Sequence, residues 1–180
     1  MNCIGSLDEL IETLNDCEPE DYIKLAKHMN LPTSDFEAYA HWKEDGYARN
    51  CIERTDNYEL ILICWNPRDE TPKHGHADQR CWVYQVEGVT EEIRYRADAA
   101  GSLVECNKME LTKGRLTYMD DAMGYHTLAN HSEEKSMTLH LYISPIDSCE
   151  VYDAKADSFC VKELTYDSFK GVLGEVTTTV

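Results

Sequence analysis

The first part of the chain carries apolar residues at helical spacing. A capping box, Ser-Leu-Asp-Glu at residues 6–9, predicts the start of a helix. The apolar stripe behind it consists of Leu7, Leu10, Ile11 and Leu14. A second helix is predicted over about residues 19–29, and a third is predicted to begin near Thr33. Residues 1–45 are therefore predicted to form a helical preface.

Beyond Gly46 the period of the apolar positions shortens to that of β-strands. Residues 58–65 are almost continuously apolar, and residues 91–96 and 137–143 alternate between the two faces of a strand. Turn-forming Asn, Pro, Asp and Gly residues separate such runs at intervals of about eight to twelve residues. Many short strands with this spacing are typical of a β-sandwich or a β-barrel.

The length of the chain and its uniform composition predict one domain. A chain of 180 residues can bury a sizeable core without further support. No internal repeat, low-complexity tract or linker divides it. We therefore predict a single mainly β domain over residues 1–180. In this domain, residues 46–165 form a β-barrel and residues 166–180 are a C-terminal tail.

The charge balance argues against two classes of partner. Lys and Arg number 17 and Asp and Glu number 34, which gives a formal net charge of −17. Such a surface repels phosphate backbones and anionic lipids, so we expect neither nucleic acid nor a membrane as a partner. No apolar run approaches the roughly 18–20 residues of a membrane span.

The eight cysteines favour a reducing compartment. They occur singly, without a Cys-x-x-Cys pair, and the N-terminus lacks the basic patch and long apolar core of a secretory signal. Scattered thiols in a chain without an export signal are typical of a cytosolic protein. We therefore expect reduced cysteines and a cytoplasmic location.

Two histidines separated by one residue, His74 and His76, describe half of a metal site. Residues two apart in a strand lie on one face, so both imidazoles can bind a single ion. A third histidine, His126, follows a glycine turn at Gly124 and opens another predicted strand. Neutral imidazoles suit Fe(II), Zn, Ni or Cu alike, so the ligand type alone leaves the metal open. The three histidines predict a site for one divalent ion.

The spacing around these histidines resembles the two signature motifs of the cupin barrel. The matching residues are His74, His76, Gly88, Gly124, His126 and Asn130. Most cupins have a ligating Glu after the first motif, and here that position is occupied by Cys81. The resemblance implies a cupin β-barrel of the jelly-roll type. It also implies a metal ion with three protein ligands and open positions on one face.

Five segments together closely resemble the cysteine dioxygenase family of thiol dioxygenases. They are residues 47–50, 63–65, 74–81, 124–130 and 139–149, which occur in the family order. Members of this family convert free L-cysteine to cysteine sulfinic acid with Fe(II) and O2. The resemblance implies the same oxidoreductase activity here, with one Fe(II) per chain and with L-cysteine and O2 as the substrates.

The resemblance also implies roles for the metal-binding and substrate-binding residues. His74, His76 and His126 are expected to be the iron ligands. Arg49 is expected to hold the substrate carboxylate through a charge-assisted hydrogen bond. Tyr47 is expected to help to shape the same pocket.

A second group of residues is expected to act beside the metal. Cys81 and Tyr142 match the two residues that the family joins through a thioether. Tyr142 is also expected to present its hydroxyl to bound substrate or oxygen. His140 lies two residues before Tyr142 on the same strand face, so it is expected to orient that phenol. Thr138 stands where the family commonly has Ser and preserves a hydroxyl.

Two positions depart from the family pattern. Gly75 lies between the first two histidines, where family members commonly carry Asp. Residues 143–145 read Ile-Ser-Pro, where the family often has Ser-Pro-Pro with a cis peptide bond. A cis bond before a residue other than proline costs about 2.5–4 kcal/mol. We therefore expect either a different turn here or a retained strained bond.

Two alternative functions remain open at this stage. The chain could be a dioxygenase of another small thiol, such as 3-mercaptopropionate or cysteamine, or a non-catalytic metal-binding cupin. Arg49 favours a thiol that carries a carboxylate. Cys81 favours the cysteine-specific branch of the family. We expect the protein to be a monomer.

Overall fold

The computed structural model describes residues 3–177 of the chain. Two helices lie near the N-terminal end, α1 (Leu7–Asp16) and α2 (Tyr22–Ala26). The Oγ atom of Ser6 accepts a hydrogen bond from the backbone N–H of Glu9 at 3.1 Å. The predicted cap of α1 is therefore confirmed.

The second and third predicted helices are shorter than the pattern indicates. A 3-10 turn at Pro19–Asp21 leads into α2, which ends at Ala26. The third is a single 3-10 turn at Thr33–Phe36. Apolar residues spaced by three fit such a turn against a core as well as they fit a helix. Within the described residues, no helix is long and apolar enough to cross a membrane.

Strands make up most of the rest of the described chain. They are β1 (Ala48–Arg54), β2 (Tyr58–Trp65), β3 (Arg80–Glu87), β4 (Val89–Ala97), β5 (Leu103–Thr112), β6 (Leu116–Met119), β7 (Tyr125–Ala129), β8 (Ser136–Ile143), β9 (Ser148–Asp153), β10 (Ser158–Glu163), β11 (Thr165–Phe169) and β12 (Val172–Thr177). The continuous apolar run is β2, and the two alternating runs lie in β4 and β8. The strands predicted from these runs are confirmed.

The strands form three sheets over the described residues. Seven strands pair in the order β12-β11-β1-β2-β8-β3-β6, three in the order β5-β4-β7, and two as the hairpin β9-β10. Leu111 and Leu128 of the three-stranded sheet share an apolar cluster with Ile63 and Val83 of the large sheet. The predicted mainly β, jelly-roll architecture is therefore confirmed. Its sheets face each other as a sandwich and are not joined into one closed ring.

The C-terminal region differs from the tail expected for residues 166–180. β11 runs parallel to β1, with Ser168 opposite Asn50, and β12 pairs with β11. The Oγ atom of Ser168 donates to Oδ1 of Asn50 at 2.8 Å, and both residues are buried. This strand was missed because its inward positions include a polar residue whose partner lies far away in sequence. Residues 178–180 lie outside the described part of the chain.

β8 lies in the interior with a layer of side chains on each face. Leu139 and Leu141 pack in the cluster that includes the N-terminal helices, whereas Tyr142 belongs to the cluster between the sheets. Alternate residues of a strand point to opposite faces, so Thr138 and His140 share the face of Tyr142. Each fully buried Leu contributes about 1.5–3 kcal/mol. The apolar face thus fixes the strand that presents the polar face.

Candidate metal centre

The structure brings together the three histidines that the sequence singles out. The backbones of His74 and His126 exchange two hydrogen bonds, at 3.0 and 3.1 Å, which holds the loop that contains His76 against β7. The Nε2 atoms of His76 and His126 are 3.2 Å apart. One ligand atom from each histidine lies within 4.8 Å of the others. The three side chains converge on one point.

This group fits a metal ion. Two imidazole nitrogens bound to one ion at about 2.0–2.1 Å lie roughly 3 Å apart, which agrees with the 3.2 Å between His76 and His126. Burial lowers the pKa of His76 and of His126 well below the ordinary value for histidine, and neighbouring imidazoles lower both further. Neutral imidazoles have the free lone pairs that a divalent ion requires.

Two of the three imidazoles have a partner that fixes their protonation. Nδ1 of His74 is 3.0 Å from the carbonyl oxygen of Pro72, and Nδ1 of His126 is 2.7 Å from Oε1 of Glu92. Carbonyl and carboxylate oxygens only accept, so each Nδ1 carries the proton and each Nε2 has a free lone pair. Nδ1 of His76 is buried without a partner among the described residues.

A small cavity lies beside the histidines, and its wall includes Arg49. The space open to the centre of a water molecule is about 40 Å³, which suits a small substrate. Other residues of the wall include Tyr47, His74, His140, Tyr142, Cys149 and Lys162. Nε of Arg49 donates to the carbonyl oxygen of Thr165 at 3.2 Å, whereas its Nη2 is buried without a partner in the part of the chain that the structure describes. The guanidinium group is thus held in place with one end available to an anion.

Cys81 and Tyr142 meet across two neighbouring strands. They are directly opposite in the pairing of β3 with β8. Burial raises the pKa of the Cys81 thiol, and a hydrogen bond from the Tyr142 hydroxyl acts in the opposite direction. Burial also raises the pKa of Tyr142 well above its ordinary value. Both groups are therefore protonated and lie opposite each other on neighbouring strands.

His140 has different partners from those expected. Its Nε2 lies 2.9 Å from Oγ1 of Thr138, which also accepts a hydrogen bond from Nε1 of Trp65 at 2.9 Å. Its Nδ1 lies 4.0 Å from Sγ of Cys81. The rings of His140 and Tyr142 are stacked with centroids 6.2 Å apart, not hydrogen-bonded. Residues two apart in a strand stand side by side, which explains this arrangement.

The site lies in a chain that matches a known protein family. The family model described as cysteine dioxygenase type I matches residues 4–155. The chain belongs to that family. The mouse enzyme named cysteine dioxygenase type 1 (Mus musculus) is 24% identical over 145 residues, which cover 78% of this chain and 72% of the mouse protein.

Two other members of the cysteine dioxygenase type I family show the same level of similarity. Cysteine dioxygenase type 1 of Danio rerio is 25% identical over 177 residues, which cover 92% of this chain and 88% of the fish protein. Cysteine dioxygenase type 1 of Homo sapiens is 24% identical over 138 residues, which cover 74% of this chain and 69% of the human protein. Membership of the family and the three-histidine group together indicate a metal-dependent thiol dioxygenase.

The fold also has a counterpart among solved structures. A Klebsiella pneumoniae protein with a double-stranded β-helix domain superposes with a TM-score of 0.50 at 13% identity. The match covers 70% of this chain and 87% of that protein. At this identity the likeness concerns the fold alone, and it supports the cupin architecture.

One departure from the cysteine dioxygenase pattern has a structural counterpart. Asp121 accepts hydrogen bonds from the backbone N–H of His76 at 2.7 Å and of Asp78 at 2.6 Å. A Cβ atom on Gly75 would lie 3.3 Å from Oδ1 of Asp121. Gly75 therefore leaves room for a carboxylate that reaches the histidine loop from elsewhere in the chain.

The turn after Tyr142 is the second departure. Ser144 has a φ of 63°, and the described chain contains no cis peptide bond. The backbone N–H of Ser144 donates to the carbonyl oxygen of Asn57 at 2.9 Å. Of the two alternatives left open by the sequence, the structure has a different turn, in which a left-handed Ser changes the chain direction.

Sequence reasoning missed Glu92, Arg94 and Asp121. Glu92 and Arg94 lie two apart in β4 with side chains that are buried or nearly so. Charged residues at inward positions of an alternating strand are the signal that could have found them. Asp121 offers no local signal, because its partners lie more than 40 residues away.

Proposed function

We propose that the chain oxidises free L-cysteine with O2 to cysteine sulfinic acid, with one Fe(II) bound by His74, His76 and His126. The observation that carries this proposal is Arg49, which lines the same cavity as His74 and whose buried Nη2 has no partner among the described residues. A cation and a metal-binding group on one small cavity fit a substrate with both a carboxylate and a thiol. Family membership supports the same substrate.

Arg49 would anchor the carboxylate of cysteine. Its Nε is already bound to the backbone, so the guanidinium plane is oriented before substrate arrives. A charge-assisted hydrogen bond to a carboxylate in such a position also fixes the direction of the thiol. Tyr47 packs against Trp65, with ring centroids 5.0 Å apart, and closes this end of the cavity.

The three histidines would hold the metal and leave its charge uncompensated. Bound Fe(II) would supply neighbouring coordination positions at which the substrate sulfur and O2 can meet. Three neutral ligands favour the binding of an anionic thiolate. Orientation of two reactants in this way can contribute about 7–11 kcal/mol.

Tyr142 and Cys81 would act next to the reacting sulfur. Tyr142 lines the cavity, and its hydroxyl would turn from Cys81 to donate a hydrogen bond to the substrate. The contact of Cys81 with Tyr142 supports a thioether between them, formed by oxidation during turnover. His140 would hold the two in place through its contacts with Thr138 and Cys81.

The proposal extends to the location and assembly of the protein. All eight cysteines are unpaired, which supports a reducing, cytoplasmic compartment. The net charge of −17 disfavours nucleic acid and anionic membranes as partners. We further propose that the chain works as a monomer, because every residue that the reaction needs lies in one chain.

The test is to load the protein with Fe(II) under anaerobic conditions and then to measure its consumption of O2. We expect L-cysteine to be consumed with one O2 per thiol and the product to have the mass of cysteine sulfinic acid. Cysteamine lacks the carboxylate and is expected to react poorly. Faster turnover of 3-mercaptopropionate or cysteamine would assign a different substrate, and iron binding without oxygen uptake for any thiol would indicate a non-catalytic cupin.

A further inference from the structure

A buried charged network lies directly behind His126. Glu92 is fully buried, and its two carboxylate oxygens have different partners. Oε1 lies 2.7 Å from Nδ1 of His126. Oε2 accepts hydrogen bonds from Nη2 of Arg94 at 3.1 Å and from Oγ1 of Thr117 at 2.8 Å. One carboxylate therefore links an imidazole of the metal group to a buried guanidinium.

Arg94 is held firmly in this network. Its side chain is 13% exposed, and Nη2 also donates to Oγ1 of Thr117 and to the carbonyl oxygen of Tyr118, both at 2.7 Å. In the pairing of β4 with β7, Arg94 lies directly opposite His126. The guanidinium group thus contacts Oε2 of Glu92, whereas His126 contacts Oε1.

We propose that Glu92 and Arg94 form a positioning pair that fixes the tautomer of His126 and so determines the affinity of the metal site. The inference rests on the metal site of the proposed function. Arg94 and Thr117 donate to one oxygen of Glu92, which directs the other oxygen at Nδ1 of His126. That oxygen can only accept, so the proton stays on Nδ1 and the lone pair of Nε2 stays available to the metal.

The chemistry of the pair makes Glu92→Gln a sharp test. A glutamine has one accepting end and one donating end. Arg94 can only donate, so it takes the amide oxygen and leaves the NH₂ group facing Nδ1 of His126. Nδ1 must then accept, which moves the proton to Nε2 and blocks the ligand atom. Changing the hydrogen-bond partner of a metal-binding histidine typically costs about 10–100-fold in metal affinity.

Removing the guanidinium from the Glu92→Gln variant should restore the site. In Glu92→Gln/Arg94→Met, the amide is free to turn its oxygen to His126, because Thr117 can accept as well as donate. We expect the double variant to bind metal more tightly than Glu92→Gln alone. A network that only supports the fold predicts the reverse, because the second substitution removes further hydrogen bonds.

The experiment titrates the metal-free protein of residues 1–180 with Zn(II) and follows the imidazole nitrogens of His126 by NMR. The expected result is a loss of about 10–100-fold in affinity for Glu92→Gln and a partial recovery in the double variant. Without metal, the NMR signals should report an Nδ1–H tautomer of His126 in the wild type and an Nε2–H tautomer in Glu92→Gln. The double variant should return to the Nδ1–H tautomer. This readout requires neither iron nor activity.

Glu59→Gln is the matched control. Glu59 is also fully buried and pairs with Arg54 at 2.7 Å, but it contacts no histidine of the metal group. The Glu59→Gln substitution should lower the free energy of unfolding without changing the affinity for Zn(II). Wild-type affinity in Glu92→Gln, an unchanged tautomer or weaker binding by the double variant would overturn the inference. Failure of the wild type to oxidise thiols, with the tautomer effect intact, would contradict only the proposed function.

Discussion

Cys81 and Tyr142 occupy directly opposite positions on β3 and β8, where the Cβ atoms of facing residues lie about 4.5–5.5 Å apart. We predict that turnover joins Sγ of Cys81 to the ring carbon of Tyr142 that is ortho to its hydroxyl, with the loss of two hydrogens. The crosslink should form only with iron, O2 and cysteine present. Peptide mapping by mass spectrometry before and after turnover measures it. Free Cys81 and unmodified Tyr142 after prolonged turnover would refute it.

The two residues of this pair should contribute unequally to rate. Cys81→Ser removes the crosslink but leaves the phenol, so activity should persist at a reduced rate. Tyr142→Phe removes the hydroxyl and should lose more. Initial rates of sulfinate formation at saturating cysteine compare them, and a Cys81→Ser variant as impaired as Tyr142→Phe would contradict this ranking.

Substituting a histidine of the metal group should lower the metal content of the protein, whereas substituting another histidine should not. His126→Ala deletes one of three ligands and should abolish iron binding and turnover. His131 is the matched control, since its side chain is 53% exposed and pairs with Glu91 outside the site. Iron per chain after anaerobic loading is the measurement. Full iron content and rate in His126→Ala would show that the metal is bound elsewhere.

Arg49 should determine the preference for a carboxylated thiol. Arg49→Met should lose about 2–4 kcal/mol of transition-state binding, because the substrate carboxylate is left without its partner. This corresponds to roughly 30- to 700-fold in kcat/KM for cysteine. Cysteamine turnover should hardly change, and the exposed Arg68→Met should behave as wild type. Equal losses for cysteine and cysteamine would argue against a carboxylate contact.

Gly75 and Asp121 should be coupled. Gly75→Asp places a second carboxylate next to Asp121, where even a Cβ atom would be only 3.3 Å away, so stability should fall. Asp121→Ala should also destabilise, because two backbone N–H groups lose their acceptor. The double variant should lose less than the sum of the two. Urea unfolding of all four proteins measures the coupling energy, and simple additivity would contradict it.

The buried cysteines should resist alkylation at mildly alkaline pH. Burial raises the pKa of Cys51 and of Cys64 to about 12, so both remain protonated at pH 9. The thiolate is the reactive form, so these residues should label only after unfolding. The exposed cysteines Cys3, Cys106 and Cys160 should label in the folded protein. Mass spectrometry after iodoacetamide treatment reads out each site.

The sequence predicted the parts of the site that follow a local period or a family motif. Two histidines one residue apart required only the period of a strand, and Arg49 and Tyr142 required the motif order. The apolar runs of β2 and β8 identified the central strands in the same way. Local spacing and motif order together therefore predicted five of the residues that line the cavity, namely Tyr47, Arg49, His74, His140 and Tyr142.

Long-range contacts explain what the sequence did not predict. Glu92 acts through His126, which is 34 residues away in the chain, and Asp121 acts through His76 at a separation of 45. Nothing in the neighbourhood of either residue indicates those partners. The stacking of His140 on Tyr142 was missed for a different reason, since shared strand face does not specify hydrogen bonding.

The residues that orient Arg49 lie far from it along the chain. Arg49 lies in β1, but the groups that orient it, the carbonyl oxygen of Thr165 and the carboxylate of Asp167, belong to β11. A nascent chain that has left the ribosome only as far as β10 already contains all three histidines. The histidines of the proposed metal site therefore leave the ribosome before the residues that orient Arg49, the proposed carboxylate anchor.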